Sequence, residues 1–357
     1  MKGCQAARSA MIMSPKLPRV FLVTLLALLF LPAVSQAADI PNDYNFGPGP
    51  STARSQGPAQ SLRMTTAAIV PGTIKPGFSF MTGISESSIW GLTDDMNIDF
   101  AVRDIRLGGT YGVNERLGFG IFFDHRHYYG GFLDQLTLTT HKIFGLDMHG
   151  RTEVDKYLHR IIRYDGGGNV IFETNDMEQF DHSGISLAAH YVLTFGSDGF
   201  LPAIGLTGIV RYVTEAPPGD EDNPIDWTLG SGFSKRLSET WYLYGYLSYT
   251  SFGQDTVQPA GSTVTPLEFT DDAINVMVAG AWKFDPKWAF LVQYLRSEGA
   301  MEDFDIMSEA SNEVNLGVKW QVSDKDILEI TMIENLVIHD NSPDIGFLLT
   351  YAHHFGE

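Results

Sequence analysis

Residues Ile274 to Tyr294 alternate in chemistry with a period of two on both sides of an Asp285-Pro286 reversal. Ile274, Val276, Val278, Gly280 and Trp282 share one face of the first arm, and Trp288, Phe290, Val292 and Tyr294 share one face of the second. Successive side chains of a strand point to opposite faces, so the pattern is a β-hairpin with one continuous apolar face. The other face carries Asn275, Ala279, Ala281, Lys283 and Gln293, with Met277 and Leu291 as apolar exceptions. A tryptophan stands on each side of the turn, where a membrane-spanning strand pair places its aromatic anchors.

The same alternation recurs along the chain. It predicts strands over 78–84, 97–113, 117–123, 185–193, 204–212, 227–233, 241–249, the two arms above, 314–320, 328–332 and 345–355. The connections then alternate in length. Those at 85–96, 126–183, 214–225, 251–272, 297–311 and 334–344 are long; those at 114–116, 235–240, 284–287 and 323–326 are short, and 195–202 is intermediate. Short inner turns alternating with long outer loops, on an even strand number, predict an all-β fold: a closed antiparallel transmembrane β-barrel of about 12 strands. It spans residues 73–357, with 126–183 as a long folded extracellular cap loop. Trp241, Trp282, Trp288 and Trp320 all lie beside short turns and form the expected periplasmic girdle. A soluble sheet with one solvated face has no reason to place them there. The final strand alternates up to Phe355 and is similar to the C-terminal aromatic signal read by the barrel-assembly machinery, although Gly356-Glu357 follow it.

The N-terminus fits an exported chain. Lys2, Arg8, Lys16 and Arg19 precede and flank an apolar run over 20–34, and Ser35-Gln36-Ala37 supplies small residues for cleavage, so 1–37 reads as a secretory signal peptide. The apolar run is short for a membrane anchor. The single cysteine, Cys4, lies inside this signal, leaving no thiol for a disulfide, a nucleophile or a metal in the exported protein. Residues 38–72 are rich in Pro, Gly, Ser and Asn and form an N-terminal extension, either a periplasmic arm or a plug. The formal charge of −19 excludes nucleic acid as a partner. Outer-membrane lipids and lipopolysaccharide are the expected surroundings, in the outer membrane of a Gram-negative bacterium.

With the tryptophan face turned to lipid, the lumen receives Arg106, Asp124, Arg211, Lys319 and Glu329 among polar and aromatic residues such as Ser186, His190, Tyr242, Tyr244 and Tyr246. About 12 strands make a barrel narrower than a 16–18-stranded porin, so the lumen is filled or narrow, with charges of both signs pairing across it.

Within the long loop, Phe132, Leu133, Leu136, Ile143 and Phe144 would share much of one side of a helix, and Asp134 and His141 would share a face. A hairpin is expected over 157–173 around Asp165-Gly166-Gly167-Gly168, and the whole loop would cap the mouth. Gly131-Phe132-Leu133-Asp134, His141, Phe144-Gly145-Leu146 and Gly150-Arg151 resemble a bacterial outer-membrane β-barrel family of unknown function (the domain of unknown function 3187 type). The resemblance extends through Arg160 to Tyr164 and Gly166, and upstream to Arg106–Gly120; it implies a barrel and no activity.

Three functions follow. The first is a narrow channel or binding barrel for a small or lipid-like molecule, by analogy of fold. The second is a lipid hydrolase using Asp134 and His141 as an acid–base pair, with His125, His127, His159 and His182 near the same end. No nucleophile or metal motif completes that set, so no catalytic residue, cofactor or metal is assigned. The third is a passive structural or surface-interaction barrel. The acidic runs Gly219-Asp220-Glu221-Asp222 and Glu302-Asp303-Phe304-Asp305 suit a solvated surface or divalent cations bridging lipopolysaccharide.

Overall fold

Period-two segments bury one face only if the sheet they form closes, and here it does. The computed structural model describes residues 42–144, 155–217, 224–258, 267–302, 304–335 and 343–356. Strands β1 (Gly77–Leu92), β2 (Met96–Gly112) and β3 (Leu117–Tyr129) are followed by a helical loop, a hairpin of β4 (Arg160–Tyr164) and β5 (Val170–Thr174), and then β6 (His182–Thr194). The wall continues with β7 (Ala203–Glu215), β8 (Ile225–Arg236) and β9 (Trp241–Ser251). A small outer ribbon, β10 (Thr256–Val257) and β11 (Leu267–Glu268), precedes β12 (Asp272–Asp285), β13 (Trp288–Ser297), β14 (Ser311–Gln321), β15 (Asp326–Asn335) and β16 (Ile345–His354). All wall pairings are antiparallel between chain neighbours, and β1 pairs with both β2 and β16, so 12 strands close without an edge. Among the described residues two α-helices accompany the sheet, α1 (Pro58–Leu62) and α2 (Asp134–Phe144).

The lipid face is apolar and exposed, with Leu187, Leu229, Ile330 and Val292 along it. Trp241 pairs across the sheet with Trp282, and Trp288 with Trp320; the rings stack at 5.8 and 5.2 Å. These pairs form the girdle beside the short turns.

Two outer connections differ from expectation. The stretch 85–96 is mostly wall: β1 runs to Leu92 and β2 starts at Met96, leaving a tight turn. Alternation fails there because Ser85 to Gly91 are buried on both faces. The 126–183 loop is shorter than expected, since β3 holds Tyr129 and β6 starts at His182. Nor is it a single cap over the mouth. Its hairpin β4–β5 forms as expected, and it extends β2 above the end of β3, with Arg160 paired to Asp99. Its helix α2 lies against the outward side of the β1–β2 wall. Asp134 reaches Ser88 there, and the backbone at Gly131 (φ 67°) leaves no room for a Cβ beside Ala101.

Candidate functional site: a plugged lumen

Residues 42–73 run inside the barrel. Among the described residues their backbone–backbone hydrogen bonds are local, and none joins the sheet. Proline, glycine and small polar residues explain this: the segment has neither the alternation nor the continuous N–H donors of a strand. It enters at the turn end, where Asn45 donates to the Phe195 carbonyl and accepts from the Arg236 amide. Gly47 (φ 59°) passes against the Tyr242 ring, where any side chain would collide. The Tyr244 hydroxyl donates to the Phe46 carbonyl and accepts from the Gly49 amide.

Two wall carboxylates then hold the ascending arm. Glu329 accepts from Ser51 Oγ at 2.6 Å and Thr52 N at 3.0 Å, while Lys319, 3.5 Å from Glu329, donates to the Pro48 and Pro50 carbonyls. Higher up, Glu313 Oε1 accepts from Ser55 Oγ, Gln56 N and Gly57 N at 2.8, 2.8 and 2.9 Å, at the entrance to α1. A carboxylate satisfies several donors at once, so each grips a bend that would otherwise carry buried, unpaired amides. The chain then descends along β7–β9. Thr66 bonds Thr228, and the Ile69 amide donates to Thr207. Gly232 lets the descending arm approach, since a Cβ there would stand 2.8 Å from the Ile69 carbonyl oxygen.

Between the arms lies a chain of buried ions. Arg54 of the inner segment donates to both oxygens of Asp104, at 2.6 and 2.7 Å, and lies 3.7 Å from Asp124. Asp104 also accepts from Arg126 at 3.3 Å. Asp124 accepts from Arg211 at 3.1 Å, and Arg211 continues to Asp226 at 3.2 Å. Arg126 spends its remaining donors on the Ser55, Gln60 and Ser61 carbonyls, tying wall to plug through backbone atoms. Arg106 stacks over Phe122 at 4.2 Å and lines a cavity of about 20 Å³ with Thr52, Arg54, Ser85 and Thr350, room for a water molecule. Removing these charges from water is costly, and mutual pairing offsets much of that cost.

Above the ions the chemistry changes. Leu62 of α1 joins Phe100, Phe172, Phe180, Phe269 and Phe304 in an apolar core at the outer end, built from β2, the β4–β5 hairpin and three outer connections. The lumen is therefore closed by a polar-held segment and by an apolar seal above it.

Asp124, Arg211, Lys319 and Glu329 face the lumen, the first two in one network and the last two as a separate pair; Arg106 faces it too, stacked on Phe122. Asp104, Arg126, Asp226 and Glu313 also face inward; the last three lie beyond the ends of the predicted strands 117–123, 227–233 and 314–320, whereas Asp104 falls inside the predicted 97–113 strand on the same parity as Arg106 and was not singled out. No sequence signal marks Arg54, which lies in an irregular segment. In the loop motif, Leu133 and Asp134 are buried whereas Phe132, Leu136 and Ile143 are exposed, so the expected single apolar side is divided. Asp134 accepts from the Tyr157 amide at 2.5 Å and from Ser88 Oγ at 3.3 Å, a role in holding the loop. The side chains of His141 and Phe144, with Gly145 and Arg151, fall outside the described residues, as do the acidic run 219–222 and Asp303. The histidines disperse: His125 bonds Ser183, His127 bonds Asp181, and His182 lies buried. Asp305 accepts from Thr93 Oγ1 at 2.7 Å, tying the β1–β2 turn down.

A family model described as a protein of unknown function, DUF3187, matches residues 26–355. The chain belongs to that family. No curated protein matches it. Among solved structures it is similar to an outer-membrane channel from Pseudomonas putida F1, with TM-score 0.50 and 13% identity over 80% of this chain and 100% of that one. It is also similar to the transport unit of the autotransporter AIDA-I from Escherichia coli (TM-score 0.48, 12% identity, 83% and 95% covered). A third is the toluene transporter TodX of Pseudomonas putida (TM-score 0.40, 11% identity, 86% and 96% covered). The first likeness shows the architecture, a closed β-barrel, and the other two carry no argument. The family member described here is thus a closed 12-stranded antiparallel β-barrel with its own N-terminal segment threaded through the lumen.

Proposed function

We propose that this barrel is a gated outer-membrane channel for a small, largely apolar molecule, with residues 42–73 as the movable stopper. One observation carries this: the segment fills the lumen yet, among the described residues, no backbone–backbone hydrogen bond pairs it with the wall, and side-chain hydrogen bonds, ion pairs and apolar contacts hold it instead. Water or a displaced partner can replace such bonds one at a time, whereas a strand added to the wall could not leave without opening the sheet. The cargo class follows from the outer seal. A molecule arriving from outside meets the apolar core first, and α1 contributes Ala59 and Leu62 to that core. Occupation of the seal and displacement of the stopper are thereby coupled. Export through the secretory pathway with loss of 1–37, and insertion by the barrel-assembly machinery through the last strand, complete the proposal.

The test is planar-bilayer conductance of the refolded mature protein in three forms: intact, lacking 42–73, and carrying Thr66→Cys with Thr228→Cys to tether the stopper. Conducting steps are expected from the deletion variant, rare events from the intact form, and silence from the oxidised tether until a reductant is added. Silence from a deletion variant that shows heat-modifiable migration on gels would sink the channel and favour a passive structural barrel, a reading that the double closure of the lumen also supports.

A further inference from the structure

Helix α2 packs on the outside of the wall and presents three faces. At about 100° per residue, Asp134 and Thr137 point to the wall, Gln135 and Lys142 lie roughly 120° to one side, and Leu136 and Ile143 roughly 140° to the other. Burial agrees: Asp134 and Thr137 are 3% and 1% exposed, while Leu136 and Ile143 are 42% and 72% exposed, as is Phe132 at 60% where the chain enters the helix. The Gln135 side is spoken for. Its side-chain oxygen accepts from Lys156 at 2.7 Å, on the segment that climbs into β4 and away from the membrane band. The apolar side therefore turns the other way, down the wall.

The level of the helix decides what it meets. A strand tilted by about 40° climbs roughly 2.5 Å per residue along the barrel axis. From Phe78, the first lipid-facing residue of β1, to Ser88, where Asp134 attaches, is about 25 Å, the height of the apolar band of such barrels. The outward row just below is Glu86, Arg103 and His127, paired side by side across three strands. Arg103 donates to Glu86 at 2.9 Å and to Tyr129 at 2.6 Å, and His127 bonds Asp181 at 2.7 Å, so these charges are already matched at headgroup level. Below them the lipid face resumes with Ile84, Leu107 and Phe123.

We infer that α2 is an interfacial anchor: Phe132, Leu136 and Ile143 insert among the acyl chains of the outer leaflet, continuing the lipid-facing band of β1–β3. A helix of this kind sinks its apolar side about 5–10 Å below the headgroup boundary. It fixes the height of the tall β1–β2 wall and shields that wall from water without entering the lumen.

The experiment uses the mature full-length chain, which has no native cysteine once 1–37 are absent. Single variants Leu136→Cys, Ile143→Cys, Gln135→Cys and Lys142→Cys are labelled with an environment-sensitive fluorophore. They are folded into phosphatidylcholine vesicles with doxyl-labelled lipid, beside the references Val210→Cys on the lipid belt and Gly166→Cys in the outer hairpin turn. Probes at 136 and 143 are expected to be blue-shifted and quenched by doxyl lipid to the degree of Val210, at least threefold more than those at 135 and 142. Quenching at 136 and 143 by aqueous iodide to the degree of Gly166 overturns the inference. So does shielding from both quenchers that persists in detergent-solubilised monomer, which would mean a protein cover instead. Conductance is not read, so failure here is distinct from failure of the stopper.

Discussion

Arg54→Ala tests the stopper most directly. Arg54 gives Asp104 two charge-assisted bonds at 2.6 and 2.7 Å and lies 3.7 Å from Asp124, with the pair almost wholly buried. Removing one partner of a buried ion pair costs about 3–5 kcal/mol when the other is stranded. Here Asp104 keeps Arg126 at 3.3 Å and Asp124 keeps Arg211 at 3.1 Å, so neither carboxylate is left alone. The loss falls at the low end, about 3 kcal/mol, which is roughly a 100-fold rise in the population with the stopper released. Ala59 on α1 is fully buried, so maleimide labelling of an Ala59→Cys reporter reads that population wherever reclosing outpaces labelling. The expected result is labelling about 100-fold faster in the Arg54→Ala background. Arg54→Lys should fall between, since it keeps the charge but loses the planar donor set. Raising salt to about 1 M should change the wild-type rate little, because buried pairs are weakly screened. Labelling of Arg54→Ala within threefold of wild type would refute the assignment of Arg54 as a latch.

Three further expectations can be checked together. Glu313→Ala orphans the Ser55 hydroxyl and the Gln56 and Gly57 amides, a loss of at least about 3 kcal/mol at the roughly 1–3 kcal/mol of each buried unpaired donor, and should lower the temperature of the heat-modifiable transition; Glu313→Gln, which keeps an acceptor oxygen, should lower it less. Asp134→Ala should speed amide hydrogen exchange at Tyr157 and Thr137 by at least tenfold through undocking of α2 while leaving any lipid hydrolysis unchanged, and loss of hydrolysis would restore the acid–base pair with His141. In the β4–β5 turn, hydrogen bonds from the Asn169 side chain and amide and from the Gly167 amide hold the Asp165 carboxyl below its usual range. A depressed carboxylate stabilises the turn above its ordinary titration and loses that contribution as pH falls through the lowered value, so exchange at Gly167 and Asn169 should accelerate only in that acidic window, with the barrel intact.

The barrel was legible in the sequence because side-chain direction in a strand is a local property of parity. Ile274 to Tyr294 could assign its own lipid face, and the tryptophans beside short turns could assign its lower boundary, without reference to distant residues. The same parity points Asp124, Arg211, Lys319 and Glu329 inward, on the side where the N-terminal segment runs. It failed for Ser85 to Gly91, where wall, seal and α2 bury both faces, and alternation disappears although the strand continues. Position of the N-terminal segment was beyond any local pattern. Ser51 meets Glu329, Ser55 meets Glu313 and Arg54 meets Asp104 across 278, 258 and 50 residues of chain, and each pairing exists only because the closed sheet brings its far strands around one axis. Likewise, the helix considered alone gives Leu136 and Ile143 only a shared apolar side, with nothing to say what covers it. The folded wall already occupies the Asp134 side, and that contact turns their apolar face toward the membrane.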